Sequence, residues 1–188
     1  TVAAAPRTTA PVAEPQTARA RMADRRRLVL AVGVLAGLGL LVSLAVRRPH
    51  WVGVDYLVYE RAALTAIRGG AFYDAPPPGF AYTYVYPPAS VLTFVPLAVL
   101  PGWVAGFAVF TLTELLAAVA VAWAAVALAS AAGVRLGRRD RLLVAAFCAL
   151  SAAATTNLFY AQVNHHLAAV LGVGLLAVER ERSRLAGV

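Results

Sequence analysis

The sequence predicts an all-α, polytopic transmembrane protein with an interfacial helix in its first external loop. Composition is the first observation: 61% of the 188 residues are hydrophobic and only 14% charged. Soluble domains average roughly 45–50% apolar and about 25% charged. The second is a series of long charge-free runs, and the third is that the arginines cluster at the borders of those runs. A net charge of +8, carried by 17 basic residues that are all Arg, is also seen in nucleic-acid-binding proteins. Here the clusters flank apolar segments, where membrane topology accounts for them, so no nucleic-acid partner is expected. Cys148 is the single cysteine, which excludes an intrachain disulfide and a cysteine-based metal site.

Residues 1–24 read as a disordered cytoplasmic N-terminus, Ala/Pro/Thr-rich with Pro6, Pro11 and Pro15. The chain opens on Thr1 and its only methionine is Met22, which reads either as a piece of a longer protein or as a reading frame whose true start lies elsewhere. Arg25, Arg26 and Arg27 then precede a charge-free run, residues 28–46. At about 1.5 Å per residue that run crosses roughly 28 Å of hydrocarbon. It ends in Arg47-Arg48-Pro49 rather than a small-residue cleavage site, which favours an uncleaved anchor over a signal peptide. The arginines before it favour a cytoplasmic N-terminus in the plasma membrane, with Arg47 and Arg48 opposing.

Residues 47–88 form the predicted external loop. Within it, residues 56–67 read as an amphipathic helix on the membrane surface, ended by Gly69-Gly70, with Arg61 and Arg68 on one face. Six of the seven tyrosines (Tyr56, Tyr59, Tyr73, Tyr82, Tyr84, Tyr86) crowd this loop with Trp51, Phe72 and Phe80, as in an aromatic belt at the lipid–water boundary.

Pro87-Pro88 open a short apolar run, residues 89–100, that is either a thin span or a re-entrant arm. Residues 103–134 form a long apolar block broken only by Glu114, and residues 135–141 carry four Arg and Asp140. Further spans are expected at residues 142–160 and 167–178, separated by the polar knot Gln162-Val163-Asn164-His165-His166 and closed by a charged tail. If the 89–100 arm turns back, the 135–141 cluster and the tail lie in the cytoplasm, and the knot faces the same side as the first loop. If it crosses, the knot and the loop fall on opposite sides. The positive-inside rule favours the first arrangement.

Asp55 is the acidic residue that opens the interfacial helix. A carboxylate there suits general-base removal of a proton from a hydroxyl, and it equally suits an N-cap. Arg47, Arg48, Arg61 and Arg68 suit either a lipid phosphate or anionic headgroups. Glu114, in mid-span, is functional by default or buried against other helices. Adjacent histidines point about 100° apart on a helix, at roughly 3.6 residues per turn, so no metal is indicated at the knot. Gln162, Asn164 and His165 suit hydrogen bonds to sugar hydroxyls or between helices. No glycine-rich phosphate loop is present.

Taken in order, Asp55-Tyr-Leu-Val-Tyr59, Gly69-Gly70-Ala-Phe-Tyr73, Tyr84-Val-Tyr86-Pro87-Pro88, Pro96-Leu-Ala-Val-Leu-Pro101 and Gln162-Val-Asn164 resemble glycosyltransferase family 87, over residues 51–176. The resemblance implies a GT-C fold and transfer of mannose from a polyprenyl-phosphate donor to a lipid-linked or glycan acceptor. The transfer would occur at the extracytoplasmic face, with inversion and no cofactor. It implies Asp55 as the general base, with Tyr59, Arg61, Tyr86, Gln162, Asn164 and His165 as substrate-binding residues. Two positions depart from the family pattern, Ala89 for Leu and Ala161 for Gly, and the chain has about half the family's expected spans, as an N-terminal fragment would. The alternatives are a non-enzymatic membrane assembly subunit, in which Glu114 and the knot pack helices, and a transporter component, against which the absence of a visible internal repeat counts.

Overall fold

The computed structural model describes the backbone of residues 16–185 and the side chains of residues 20–182, and among these every regular element is helical. Helix α1 spans Gln16–Arg47, α2 Val54–Ile67, α3 Val95–Ala98, α4 Trp103–Ala131, α5 Arg138–Leu150, α6 Ala152–Tyr160 and α7 Asn164–Leu185. Two helices, residues 20–47 of α1 and all of α4, are long and apolar enough to cross a membrane. The α5–α6 pair, bent by 43° at Ser151, supplies a third crossing if it acts as one span. The protein is therefore an all-α membrane protein. Large apolar side chains such as Leu35 and Val42 on α1, and Leu116 and Val119 on α4, are exposed, as surfaces that face lipid are.

The helix begins at Gln16, inside the stretch read as disordered, while residues 1–15 lie outside the described residues. The physical reason is local: after Pro15, Gln16–Arg27 is built from strong helix formers continuous with the apolar run.

Close backbone approach fixes α1 on the α5–α6 pair. A Cβ at Gly37 would overlap the carbonyl of Leu150, and one at Gly33 would meet the Phe147 ring. Small residues four apart allow this contact, which in lipid rests on van der Waals packing. At one end of the bundle Arg27 Nε lies 2.8 Å from Asp140 Oδ1, and Arg26 lies 3.1 Å from Oδ2. Asp140 also accepts from its own Gly137 N–H, closing the start of α5.

The other end holds the loop. Gly53 N–H donates to the Phe159 carbonyl at 2.8 Å, and Trp51 meets Tyr160 edge-on. Helix α4 starts at this same end, with Phe107 and Phe110 against Tyr56, and α7 leaves from it beside α4. Residues 88–98 form a 3-10 stretch, Pro88–Thr93, and the single turn α3, which pack on α2 and return to α4 without crossing. The polar knot and the first loop therefore share one end of the bundle, and the arginines of residues 25–27 and 135–141 share the other.

The loop has its own core. Tyr56, Tyr59 and Tyr84 are buried with Phe94 and Phe110, and Tyr59 stacks on Phe94 at 4.4 Å between centroids. This corrects the aromatic-belt expectation for those three tyrosines, since a belt leaves its rings at the water–lipid boundary. Tyr73 and Tyr82 stay exposed. The rings are buried because residues 71–94 fold back over the apolar face of α2.

Candidate functional site

Asp55 lies in the first turn of α2, but it does not cap that helix. The N-cap is Gly53, in the left-handed region at φ 71°, and no side chain caps it. Phe107 packs so closely on Gly53 that a Cβ would meet its ring, and the Gly53 N–H is committed to α6. The N-cap reading of Asp55 is thereby overturned: its side chain is turned to the knot, within electrostatic reach of the Gln162 side chain. Burial pushes its carboxyl up from the ordinary range, and the Gln162 amide partly offsets that.

Ala161 aims the knot. It is the only non-glycine residue among those described with a positive φ, 58°, and it ends α6 in the left-handed conformation. Glycine is the residue that adopts this conformation without strain, which gives a physical meaning to the position where the family pattern expects Gly. The turn brings Gln162 toward Asp55 and starts α7 at Asn164. There the Asn164 amide donates to Gln162 Oε1 at 2.9 Å, and its backbone N–H donates to Asn157 Oδ1 at 3.1 Å.

One turn along α2 from Asp55, the Tyr59 hydroxyl donates to Tyr86 at 3.4 Å. Burial first, and then the contact with Tyr86, hold the Tyr59 phenol far above its usual range, so it remains a protonated donor beside Asp55. Tyr86 is fixed in turn by Tyr73, whose hydroxyl donates to its carbonyl at 2.8 Å. Arg61 sits on a different face of α2, exposed, with its carbonyl accepting from Thr65. Asp55, Tyr59, Tyr86, Gln162 and Asn164 thus gather in one region, and Arg61 stands apart.

His165 is buried and belongs to a separate polar cluster inside the helices. Its Nδ1 lies 2.9 Å from Glu114 Oε2, and its Nε2 lies 3.3 Å from the Cys148 carbonyl. Asn157 donates to the same Glu114 oxygen and meets His165 Nδ1 at 2.7 Å. His166 Nδ1 stands 2.6 Å from Glu114 Oε1, close but poorly aligned for a hydrogen bond. Both histidines thus reach one carboxylate, each taking a different oxygen, although their side chains leave the helix in different directions. Asn157 and His166 complete a cluster in which the sequence singles out His165 and, as a charge in mid-span, Glu114. The signal available for the others was polarity inside apolar runs.

An apolar groove of about 680 Å³ opens beside these two regions, lined by Tyr86, Phe94, Leu97, Phe110, Val163 and His166 among others. Tyr86 and Val163 join it to the Asp55 region, and His166 joins it to the Glu114 cluster. Among the described residues no group of three or more His, Cys, Asp or Glu is arranged to hold a metal ion.

Fold and site together define a membrane protein whose polar residues converge beside an apolar groove at one end of a helical bundle. Residues 84–188 match the model of glycosyltransferase family 87, and the chain belongs to that family. No curated protein and no solved structure matches it. The protein is accordingly a membrane glycosyltransferase by family. The matched segment takes in Tyr86, Glu114, Gln162, Asn164 and His165, whereas Asp55, Tyr59 and Arg61 precede it.

Proposed function

We propose that the protein transfers a mannosyl unit from a polyprenyl-phosphate donor to a lipid-linked or glycan acceptor, with Asp55 as general base. The observation that carries this reading is the apolar groove, which Tyr86 and Val163 join to the region of Asp55 and the knot. An isoprenoid chain is matter for such a groove, whereas a nucleotide donor calls for polar contacts to base and phosphates. In the reaction, the acceptor oxygen attacks the anomeric carbon with inversion. Its proton passes to the Asp55 carboxylate, and polyprenyl phosphate departs with the electrons of the glycosidic C–O bond. Gln162 orients Asp55, and Asn164, through its bond to Gln162, holds that amide in place. Tyr59 and Tyr86 offer hydroxyls to the sugar.

The arginine-rich end is assigned to the cytoplasm by the positive-inside rule. That puts Asp55 and the knot at the extracytoplasmic face of the plasma membrane, with surrounding lipids as the remaining partners and no cofactor in the transfer.

The test supplies membranes containing the chain, and the same reading frame extended to its natural stop, with radiolabelled mannose on either polyprenyl phosphate or a nucleoside diphosphate. The reading expects transfer from the lipid donor alone. Transfer from the nucleotide donor with the lipid route blocked would overturn it.

A further inference from the structure

Asn157, on α6, is buried with Glu114 and His165. A polar side chain in such a place commonly joins helices, but the hydrogen bonds of Asn157 are more particular. Its carbonyl accepts from the Gln162 N–H at 2.9 Å, closing the end of α6, and its side-chain oxygen accepts from the Asn164 N–H at 3.1 Å. The Asn164 N–H is a first-turn donor of α7, which no carbonyl of its own helix can reach. Both oxygens of one residue therefore hold the knot, one on each side of Val163.

The orientation of the Asn157 amide is fixed by the same contact. A backbone N–H can only donate, so the atom that faces Asn164 is Oδ1, and Nδ2 faces away from the knot. Nδ2 donates to Glu114 Oε2 on α4 and stands 2.7 Å from His165 Nδ1, which is itself 2.9 Å from that Glu114 oxygen. Neither tautomer of His165 changes which way Asn157 points, because the Asn164 N–H sets it. Glu114 thus anchors Asn157 to α4, and Asn157 in turn fixes the backbone at Gln162 and Asn164. The side chains carried by that backbone are bonded to each other, Asn164 Nδ2 to Gln162 Oε1 at 2.9 Å, in the region of Asp55.

We infer that Asn157, anchored by Glu114, is a positioning residue that aims Gln162 and Asn164 at the Asp55 region. The inference rests on the roles proposed above for those residues in transfer. Asn157 acts through the knot and not on the substrate, from which its burial separates it.

The test exchanges the two anchoring groups without changing their shapes. Asn157→Asp alone sets a carboxylate oxygen against Glu114 Oε2. Asn157→Asp combined with Glu114→Gln restores the pair in reverse: the glutamine amide donates, an aspartate oxygen still receives the Asn164 N–H, and the cluster keeps its charge. Mannose transfer is measured on the protein of the extended reading frame in lipid nanodiscs, per folded enzyme. In Asn157→Asp kcat is expected to fall by about 10–10²-fold, the scale of a displacement of about 1 Å. KM for the lipid donor is expected to stay within about threefold, and the exchanged pair to return kcat to within about threefold of wild type. In a Gln162→Ala background, Asn157→Asp should change kcat by less than about twofold, because the side chain it aims is gone, whereas a merely structural role lowers kcat equally in both backgrounds.

A second measurement needs no activity. Hydrogen exchange at the Asn164 N–H is expected to be on the order of tenfold faster in Asn157→Ala than in wild type, with the amides of α4 unchanged. Equal kinetic losses in both backgrounds, an exchanged pair that does not recover, or an Asn164 N–H that exchanges alike in wild type and Asn157→Ala each overturn the inference. The exchanged pair keeps the test decisive where Asn157→Asp alone does not fold. A protein that shows the hydrogen-exchange pattern and transfers no mannose refutes the donor reading and leaves the placement of the knot standing.

Discussion

Two glycines of α1, two residues apart, are expected to respond to the same substitution with opposite sign. At Gly37 a Cβ would overlap the backbone of Leu150 and Ser151, whereas at Gly39 nothing lies within 4 Å. Replacing either by Ala gains helix propensity, about 0.8–1 kcal/mol. At Gly37 that gain is opposed by overpacking, about 1–3 kcal/mol. The obstacle there is backbone, which cannot swing aside as a side chain does, so α1 must move away from the α5–α6 bend. The propensity gain cancels between the two variants, leaving Gly37→Ala less stable than Gly39→Ala by about 1–3 kcal/mol. Reversible unfolding in mixed detergent micelles, read by circular dichroism, measures that difference. Gly33→Ala should fall between them, because the Phe147 ring in its way can rotate. Equal midpoints for Gly37→Ala and Gly39→Ala would refute the close α1 contact. The same contact supports the site, since α6 hands the Phe159 carbonyl to Gly53, immediately before α2.

Glu114→Ala strips His165, His166 and Asn157 of a shared partner. At about 0.6 kcal/mol per membrane hydrogen bond the two bonds to Oε2 are worth roughly 1 kcal/mol, rising toward about 3–5 if a buried charge is stranded; thermal unfolding in detergent reads it, and an unchanged midpoint would contradict the cluster. Because burial raises the Asp55 carboxyl, transfer should fall as pH drops through a value above the ordinary carboxylate range. Gln162→Ala removes the amide that partly offsets the shift, so the acid limb of kcat/KM should move to higher pH. The sign for stability is opposite, since a carboxyl raised in the folded state disfavours its ionised form there, and stability should rise as pH falls through the same limb. Arg61 is exposed and apart from Asp55, so Arg61→Ala should leave transfer within about twofold, the range of an ordinary surface substitution.

The helices were legible because their signals are local and strong. The charge-free run after Arg27, the apolar block around Glu114 and the Gly69-Gly70 stop each announce themselves within a few residues. The start of α1 was not legible from Pro6, Pro11 and Pro15, because helix propensity resumes as soon as the last proline is passed. Asp55, Gln162 and Asn164 were nominated together on motif order, and they do share one region. What drew Asp55 away from capping was remote, because the Gly53 N–H is taken by Phe159, more than a hundred residues along the chain. Burial of Tyr56, Tyr59 and Tyr84 was hidden for a similar reason, since an aromatic-rich loop reads alike whether its rings face lipid or one another. Convergence of His165 and His166 on Glu114 depends on where α7 begins relative to α4, which no local pattern encodes.

Asp55 carries the proposed chemistry. Mannose transfer from polyprenyl-phosphate mannose should be compared between wild type and Asp55→Asn, both inserted in membranes at equal amounts. The substitution keeps the shape and the contact with Gln162 while removing the proton acceptor. Loss of general-base catalysis is expected to lower transfer by about 10²–10⁴-fold with insertion unchanged. Wild-type rates in Asp55→Asn would contradict the assignment of the base and the mechanism built on it.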